Sequence, residues 1–122
     1  MGSPPARRRV LFVEDEPALR QSYERAFQVR YQAVFAATGR EALERFAESA
    51  PDVVVLDLRL PDTDGIALLR QFRRARPDLP VVITSAYISL EPQLQVLDLP
   101  HHGYLVKPFD LTDLARHIDA AR

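Results

Sequence analysis

The chain has 122 residues, with 16 basic and 17 acidic side chains and a formal net charge of −1. This length fits one domain, and a content of 47% hydrophobic and 27% charged residues is globular rather than disordered. The balanced charge argues against a free-standing nucleic-acid binder, and the lack of cysteine excludes disulfides and thiolate metal sites.

The basic residues are unevenly divided, because 15 of the 16 are arginine and Lys107 is the only lysine. Two interpretations stay open: compositional bias, in which case the single lysine carries no information, or a position that needs a compact ammonium rather than a planar guanidinium. No apolar run approaches the ~20 residues of a membrane span, and no signal-peptide pattern is seen. We therefore expect a soluble cytoplasmic domain.

The chain begins with a segment that has little to pack against a core. Residues 1–8 are small, basic and rich in proline, so we expect a flexible tail followed by one folded domain over 9–122. Beyond it, short apolar runs of the kind found in strands buried on both faces alternate with helical patterns. The strand candidates are 10–13, 53–56 and 81–83, with weaker ones at 31–37 and 104–106.

Helix starts are also readable between these runs. Pro17 suits a first helical turn, and Thr38 followed by Glu41 is a capping-box pattern. Asp64 and Asp110 are predicted to cap two further helices. The stretch 86–102 is the least regular, and its prolines predict a short or distorted helix there. The alternation predicts an α/β fold of five βα units, (βα)5, with a doubly wound, five-stranded parallel sheet in a three-layer, flavodoxin-like sandwich.

Side chains that carry chemistry follow four of the predicted strands. In a parallel sheet the carboxyl ends of the strands meet at one edge, so we expect these residues to lie together. Clustered carboxylates repel unless a cation compensates, and hard oxygen ligands open to water suit Mg²⁺, which supports phosphoryl chemistry. The residues are Glu14 and Asp15 after the first strand, Asp57 after the third, Thr84 and Ser85 after the fourth, and Lys107 after the fifth.

Four separated motifs in this order resemble the receiver domain of two-component response regulators. They are Val-Glu-Asp-Glu at 13–16, the apolar run ending in Asp57 with the loop at 60–65, Ser-Ala at 85–86, and Lys-Pro-Phe at 107–109. No single motif is decisive, but the set is specific and covers residues 10 to about 120.

The resemblance implies that Asp57 accepts a phosphoryl group from the phosphohistidine of a sensor histidine kinase or a phosphotransfer protein. It also implies that Asp15 and Asp57 bind Mg²⁺ through their carboxylates, Arg59 through its backbone carbonyl, and Glu14 through a water. Lys107 is expected to pair with the phosphoryl group.

The resemblance further implies a switch. Ser85 is expected to hydrogen-bond the phosphoryl group, and Tyr104 to swing inward as the hydroxyl moves. In the family this hydroxyl stands directly before a small residue and five positions after a proline, so the resemblance assigns the role to Ser85, after Pro80, rather than to Thr84. The event then reaches a face built from the fourth helix, the fifth strand and the last helix.

The function implied is that of a signalling domain rather than an enzyme, one that assists its own phosphorylation and slow dephosphorylation. Its expected partners are the kinase, and a downstream effector, a C-terminal output domain or a second copy of the chain. We expect no direct contact with nucleic acid or membrane.

Two alternatives stay open. The altered fourth-helix region, where Pro100 and His101 replace a Gly-Ala pair, keeps a phosphorylation-independent docking module in view. A magnesium-dependent phosphohydrolase with an aspartyl nucleophile is disfavoured, because Arg59 stands where such an enzyme carries its second carboxylate. Asp62 and Asp64 are interpreted as turn and cap residues.

Overall fold

The computed structural model describes residues 7–86 and 102–121, in which strands and helices alternate. The strands are β1 (Arg9–Val13), β2 (Gln32–Ala36), β3 (Val53–Asp57), β4 (Val81–Ser85) and β5 (Gly103–Val106). The helices are α1 (Pro17–Phe27), α2 (Gly39–Ser49), α3 (Gly65–Ala75) and α4 (Leu111–Ala120). These elements lie where the sequence patterns predict them. The short helix predicted between Pro92 and Pro100 lies outside the described residues.

The strands form one parallel sheet in the order β2-β1-β3-β4-β5. Because β2 and β3 lie on opposite sides of β1, the winding reverses there, and a crevice is expected at the carboxyl ends of β1 and β3. Pairing of Val13 with Leu56 and of Asp57 with Thr84 keeps the ends of β1, β3 and β4 nearly level. The predicted doubly wound parallel sheet is confirmed.

Helices cover both faces of the sheet, because the strand side chains alternate between two apolar clusters. On one face Val54 and Leu56 pack with residues of α2 and α3, including Phe72. On the other face Val53 and Val55 pack with the buried residues of α1 and α4. A strand covered on both faces needs apolar residues at successive positions, because neighbouring side chains point to opposite faces. This explains the nearly continuous hydrophobic runs.

Local signals in the sequence position the helix starts. Thr38 Oγ1 accepts a hydrogen bond from Glu41 N at 3.1 Å, and Asp64 Oδ1 accepts one from Ile66 N at 2.9 Å. Asp110 holds the N-cap position of α4 without a side-chain hydrogen bond to the helix. None of the helices within the described residues is long and apolar enough to cross a membrane.

Several arginine side chains donate hydrogen bonds to backbone carbonyls at the edge of the sheet where the strands begin. A guanidinium carries several donors in a planar fork, so it can satisfy carbonyls left open by turns and helix ends. Arg7 and Arg8, which the sequence places in the flexible tail, make such contacts, whereas residues 1–6 lie outside the described part of the chain. The donor–acceptor pairs are Arg7 with Gln28 and Val29, Arg8 with Ile118, Arg73 with Leu79, and Arg76 with Pro51.

Candidate functional site

Three carboxylates meet at the carboxyl edge of the sheet, between β1 and β3. Glu14 and Asp15 follow β1, Asp57 ends β3, and one oxygen from each lies within 4.8 Å of the others. Glu14 and Asp57 are buried, with 0% and 2% of their surface exposed, whereas Asp15 is exposed. The cluster therefore combines hard oxygen donors with an open side toward water, and this arrangement fits Mg²⁺.

Lys107 supplies the cation for this cluster. Its Nζ lies 2.8 Å from Glu14 Oε1 and 2.9 Å from Asp57 Oδ2, and 20% of its side chain is exposed. The backbone fixes its position, because Lys107 N donates to Ser85 O at 2.8 Å. Burial opposes the charge, but hydrogen bonds to Glu14 and Asp57 outweigh it and raise the pKa of Lys107. The ammonium is therefore charged at neutral pH.

The Glu14 carboxyl has a raised pKa. Burial raises its pKa to about 7, although hydrogen bonds from Lys107 and from Glu16 N lower it. The bond from Glu16 N reaches Oε2 at 3.0 Å, and Lys107 lies at the other carboxylate oxygen. The carboxylate of Glu14 is therefore more readily protonated than that of an exposed glutamate.

A cleft of about 490 Å³ opens over the acidic cluster. Asp15 and Asp57 line it, together with Arg59, Ala86 and Lys107. A water molecule takes about 30 Å³ of liquid, so the cleft has room for a phosphoryl group and several waters. The Asp57 carboxylate therefore lies next to the other two carboxylates, the Lys107 ammonium and the open cleft.

The two hydroxyl residues of β4 are both buried, at 1% exposure for Thr84 and 2% for Ser85. Thr84 stands beside Asp57 in the strand register, and its Oγ1 has no hydrogen bond within the described residues. Ser85 ends the strand, and its neighbour Ala86 lines the cleft. Ser85 thus occupies the strand end that the switch role requires.

Tyr104 lies on β5, next to Ile83 of β4 in the register. Its side chain is half-buried and packs against the apolar cluster that faces α2 and α3. An aromatic side chain between core and surface can change position without opening the whole core. The switch role assigned to Tyr104 requires this freedom.

Arg59 belongs to a tight loop over residues 58–64. Arg59 N donates to Asp57 Oδ1 at 2.9 Å, and Arg59 pairs with Asp64 in a short antiparallel bridge. Gly65 N donates to Leu58 O at 3.0 Å. A Cβ on Gly65 would lie 2.4 Å from Leu58 Cα, so the loop closes only with glycine there. These contacts hold the backbone of Arg59 close to the Asp57 carboxylate.

Two further contacts near the site were not foreseen from the sequence. Arg20 of α1 donates to the backbone carbonyls of Glu14 at 2.9 Å and of Asp15 at 3.2 Å, and so holds the segment that follows β1. Asp62, predicted only as a turn residue, accepts hydrogen bonds from Gly39 N and Arg40 N at the start of α2. For Arg20, the sequence shows only that it lies one helical turn after Glu16 and so near the end of β1. For Asp62, no sequence pattern indicated the contact with α2.

The fold of this chain is similar to that of several solved receiver domains and response regulators. The chain superposes on a CheY-like receiver domain protein from Methanospirillum hungatei with a TM-score of 0.85 and 28% identity, covering 93% of this chain and 92% of that one. The chemotaxis protein CheY4 of Vibrio cholerae gives a TM-score of 0.86 at 27% identity, with 96% and 100% covered. The response regulator TrrA of Thermotoga maritima, solved in complex with Mg²⁺-BeF, gives 0.81 at 27% identity, with 92% and 96% covered.

The family model for the response regulator receiver domain matches residues 10–119. The chain therefore belongs to the receiver-domain family of two-component response regulators, as the sequence motifs predict.

Curated relatives agree with this membership. Response regulator MprA of Mycolicibacterium vanbaalenii is 38% identical over 113 residues, which cover 92% of this chain and 49% of the relative. Regulatory protein AtoC of Escherichia coli K12 is 37% identical over 107 residues, which cover 87% of this chain and 23% of the relative. The chain thus spans half or less of the length of these relatives.

Proposed function

We propose that Asp57 accepts a phosphoryl group from the phosphohistidine of a sensor histidine kinase or a phosphotransfer protein. The observation that carries the proposal is the position of the Asp57 carboxylate, between the Lys107 ammonium at 2.9 Å and the carboxylates of Glu14 and Asp15. An oxygen of Asp57 attacks phosphorus while the bond from phosphorus to the imidazole nitrogen breaks. The departing imidazole takes a proton from solvent.

The donor set at this edge of the sheet fits Mg²⁺, because all its atoms are hard oxygens and one side faces water. When bound, Mg²⁺ offsets negative charge on both the nucleophile and the phosphoryl oxygens. Asp15, Asp57 and the backbone carbonyl of Arg59 are the proposed direct ligands, and Glu14 acts through a water. The bond from Arg59 N to Asp57 Oδ1 keeps one carboxylate oxygen oriented.

Lys107 has two successive roles in this proposal. In the unmodified protein its ammonium pairs with both Glu14 and Asp57 and offsets part of their charge. The phosphoryl group of an aspartyl phosphate carries about −1.5 to −2 charges in place of the single charge of the carboxylate, so the ammonium then pairs with the phosphoryl oxygens. Since Lys107 and Ser85 are joined through the backbone at 2.8 Å, a shift toward the phosphate reaches both strand ends together.

Ser85 and Tyr104 are the proposed switch. Ser85 hydrogen-bonds the phosphoryl group, and Tyr104 moves inward to follow it, which changes the surface near β5 and α4. That surface, with the helix predicted between β4 and β5, is the proposed binding face for a downstream effector, a C-terminal output domain or a second copy of the chain. The proposed setting is the cytoplasm, without direct contact to nucleic acid or membrane.

The test is incubation with phosphoramidate, which carries a phosphorus–nitrogen bond like that of phosphohistidine. Intact-mass measurement is expected to show one added phosphoryl group that requires Mg²⁺ and is absent from Asp57→Asn. Asp52→Asn, a carboxylate at the opposite edge of the sheet, is the matched control and is expected to be labelled like the wild type. Absence of labelling in the wild type would favour a phosphorylation-independent docking module, and sustained turnover of organic phosphates would favour a hydrolase.

A further inference from the structure

Asp62 joins the loop at the site to a helix far along the chain. Its Oδ1 accepts from Gly39 N at 2.8 Å and its Oδ2 from Arg40 N at 3.0 Å, across 23 and 22 positions of the sequence. The first N–H groups of a helix have no acceptor within the helix, and its amino terminus favours a negative charge. The two bonds lower the pKa of Asp62, so the carboxylate is ionised at neutral pH.

α2 does not need Asp62 in order to begin. Thr38 is already its N-cap, and Thr38 Oγ1 accepts from Glu41 N at 3.1 Å. Asp62 instead binds the two preceding N–H groups, which the Thr38 hydroxyl does not serve. The particular consequence of the Asp62 bonds is therefore a fixed distance between α2 and the loop 58–64.

The loop approaches α2 closely at Gly39, where a Cβ would displace the Thr63 side chain. A Cβ there would lie 2.4 Å from Thr63 Cγ2 and 3.4 Å from Asp62 Oδ1. The first of these distances is far below a normal carbon–carbon contact of about 3.5–4.0 Å. Gly39 is thus the other half of the same attachment.

The base of the loop is attached separately, next to the phosphoacceptor. Arg59 N donates to Asp57 Oδ1, and Gly65 N donates to Leu58 O. Arg59 lies between this base and the Asp62 attachment. With both sides held, the direction of the Arg59 backbone carbonyl is determined before any ligand arrives.

We propose that Asp62 is a positioning residue, which anchors the loop 58–64 to α2 and so aims the Arg59 carbonyl and the Asp57 carboxylate at the metal position. The inference rests on the metal site proposed above. Mutation of a group that orients metal ligands without touching the metal commonly lowers metal affinity by about 10–100-fold. The low end of that range is expected for Asp62, because it acts through the backbone and is exposed.

The experiment compares variants of the full chain by calorimetric Mg²⁺ titration and by amide hydrogen exchange without metal. Asp62→Ala is expected to weaken Mg²⁺ binding by about tenfold and to speed exchange in the loop 58–64. Asp62→Asn, whose amide oxygen still accepts one N–H, is expected to lose less. Thr38→Ala removes an acceptor from the same helix terminus but leaves the loop attached, so it is expected to change neither reading.

Gly39→Ala gives an independent variant that keeps the carboxylate. Its Cβ would press on Thr63 Cγ2, and alanine favours helix over glycine, so the loop contact is expected to loosen without weakening α2, with weaker Mg²⁺ binding and faster exchange in the loop 58–64. Wild-type affinity and loop exchange in Asp62→Ala, or loss of both in Thr38→Ala, would overturn the inference while the metal site stands. If the wild type itself fails to bind Mg²⁺, the proposed metal site fails with the inference, and exchange in the metal-free loop then reports the anchor alone.

Discussion

Lys107 donates a hydrogen bond to Asp57 across 50 positions of the chain, with 2.9 Å between Nζ and Oδ2. The same ammonium lies 2.8 Å from Glu14, so one cation holds two buried carboxylates at the end of the sheet. A buried carboxylate without such a partner is costly. The only lysine of the chain therefore supplies the positive charge that partners both buried carboxylates.

Replacing Lys107 tests this balance. Lys107→Met is expected to lower the free energy of unfolding by about 2 kcal/mol, less than for a fully buried pair because the lysine is partly exposed. Denaturant titrations should show the larger loss above a pH of about 7, where Glu14 stays ionised, and a smaller loss below it. Equal losses on both sides of that pH would contradict the account.

Lys107→Arg keeps the charge but changes its size and reach. Its stability is expected to stay near that of the wild type, because the carboxylates keep a cation. Labelling by phosphoramidate, and the structural response to it, are expected to decline, because a guanidinium cannot move to the phosphoryl group as a compact ammonium does. A variant that switches normally would mean that the lysine has no special role.

Mg²⁺ affinity is expected to rise with pH through about 7, where Glu14 gives up its proton. In the metal-free protein the sign is opposite. The pKa of Glu14 is raised from 4.5 by folding, so its contribution to stability is present below that value and is lost as pH rises through about 7. Calorimetry and denaturation across this range measure both effects. Glu14→Gln should flatten both profiles, and an unchanged pH slope in that variant would contradict the assignment.

Two buried tyrosines of the same apolar cluster differ in their hydroxyls. Tyr31 donates to Asp119 Oδ1 at 2.7 Å, whereas Tyr23 OH lies near the buried Thr84 hydroxyl without a regular hydrogen bond within the described residues. Tyr31→Phe is therefore expected to cost about 1 kcal/mol of unfolding free energy, and Tyr23→Phe to cost clearly less. Denaturant titrations of both variants test this matched pair. An equal loss in Tyr23→Phe would reveal a partner for its hydroxyl.

Ser85→Ala is expected to leave Asp57 open to phosphorylation but to uncouple it from the rest of the domain. The measurement is hydrogen exchange of β5 before and after labelling. The wild type should change its exchange around Tyr104, and Ser85→Ala should not. Thr84→Val, at the neighbouring buried hydroxyl, is the control and should respond like the wild type. An unaltered response in Ser85→Ala would refute the switch assignment.

Much of this molecule could be predicted from local patterns. The apolar runs of β3 and β4 mark strands, because a strand buried on both faces leaves a continuous signature, whereas the half-buried edge strand β5 gives a weaker one. Thr38 and Asp64 mark helix starts, because capping needs side chains only two or three positions away. The receiver family then follows from motifs in a fixed order.

Contacts between segments that are distant in sequence left no such signature. The bonds of Asp62 span 22 and 23 positions and depend on how close the loop 58–64 comes to α2 in the folded chain. The arginine excess, interpreted as compositional bias, also has a structural use, because Arg73 and Arg76 donate to carbonyls at the far edge of the sheet. Which carbonyl an arginine reaches is determined only when the chain is folded.

The most direct test of the central claim is to trap the modified residue. After reaction with phosphoramidate and Mg²⁺, borohydride reduces an acyl phosphate to an alcohol, and peptide mass spectrometry locates it. Reduction is expected at Asp57 alone, and it is expected to be absent without Mg²⁺ and absent in Asp57→Asn. A trapped group on another residue, or labelling that persists in Asp57→Asn, would contradict it.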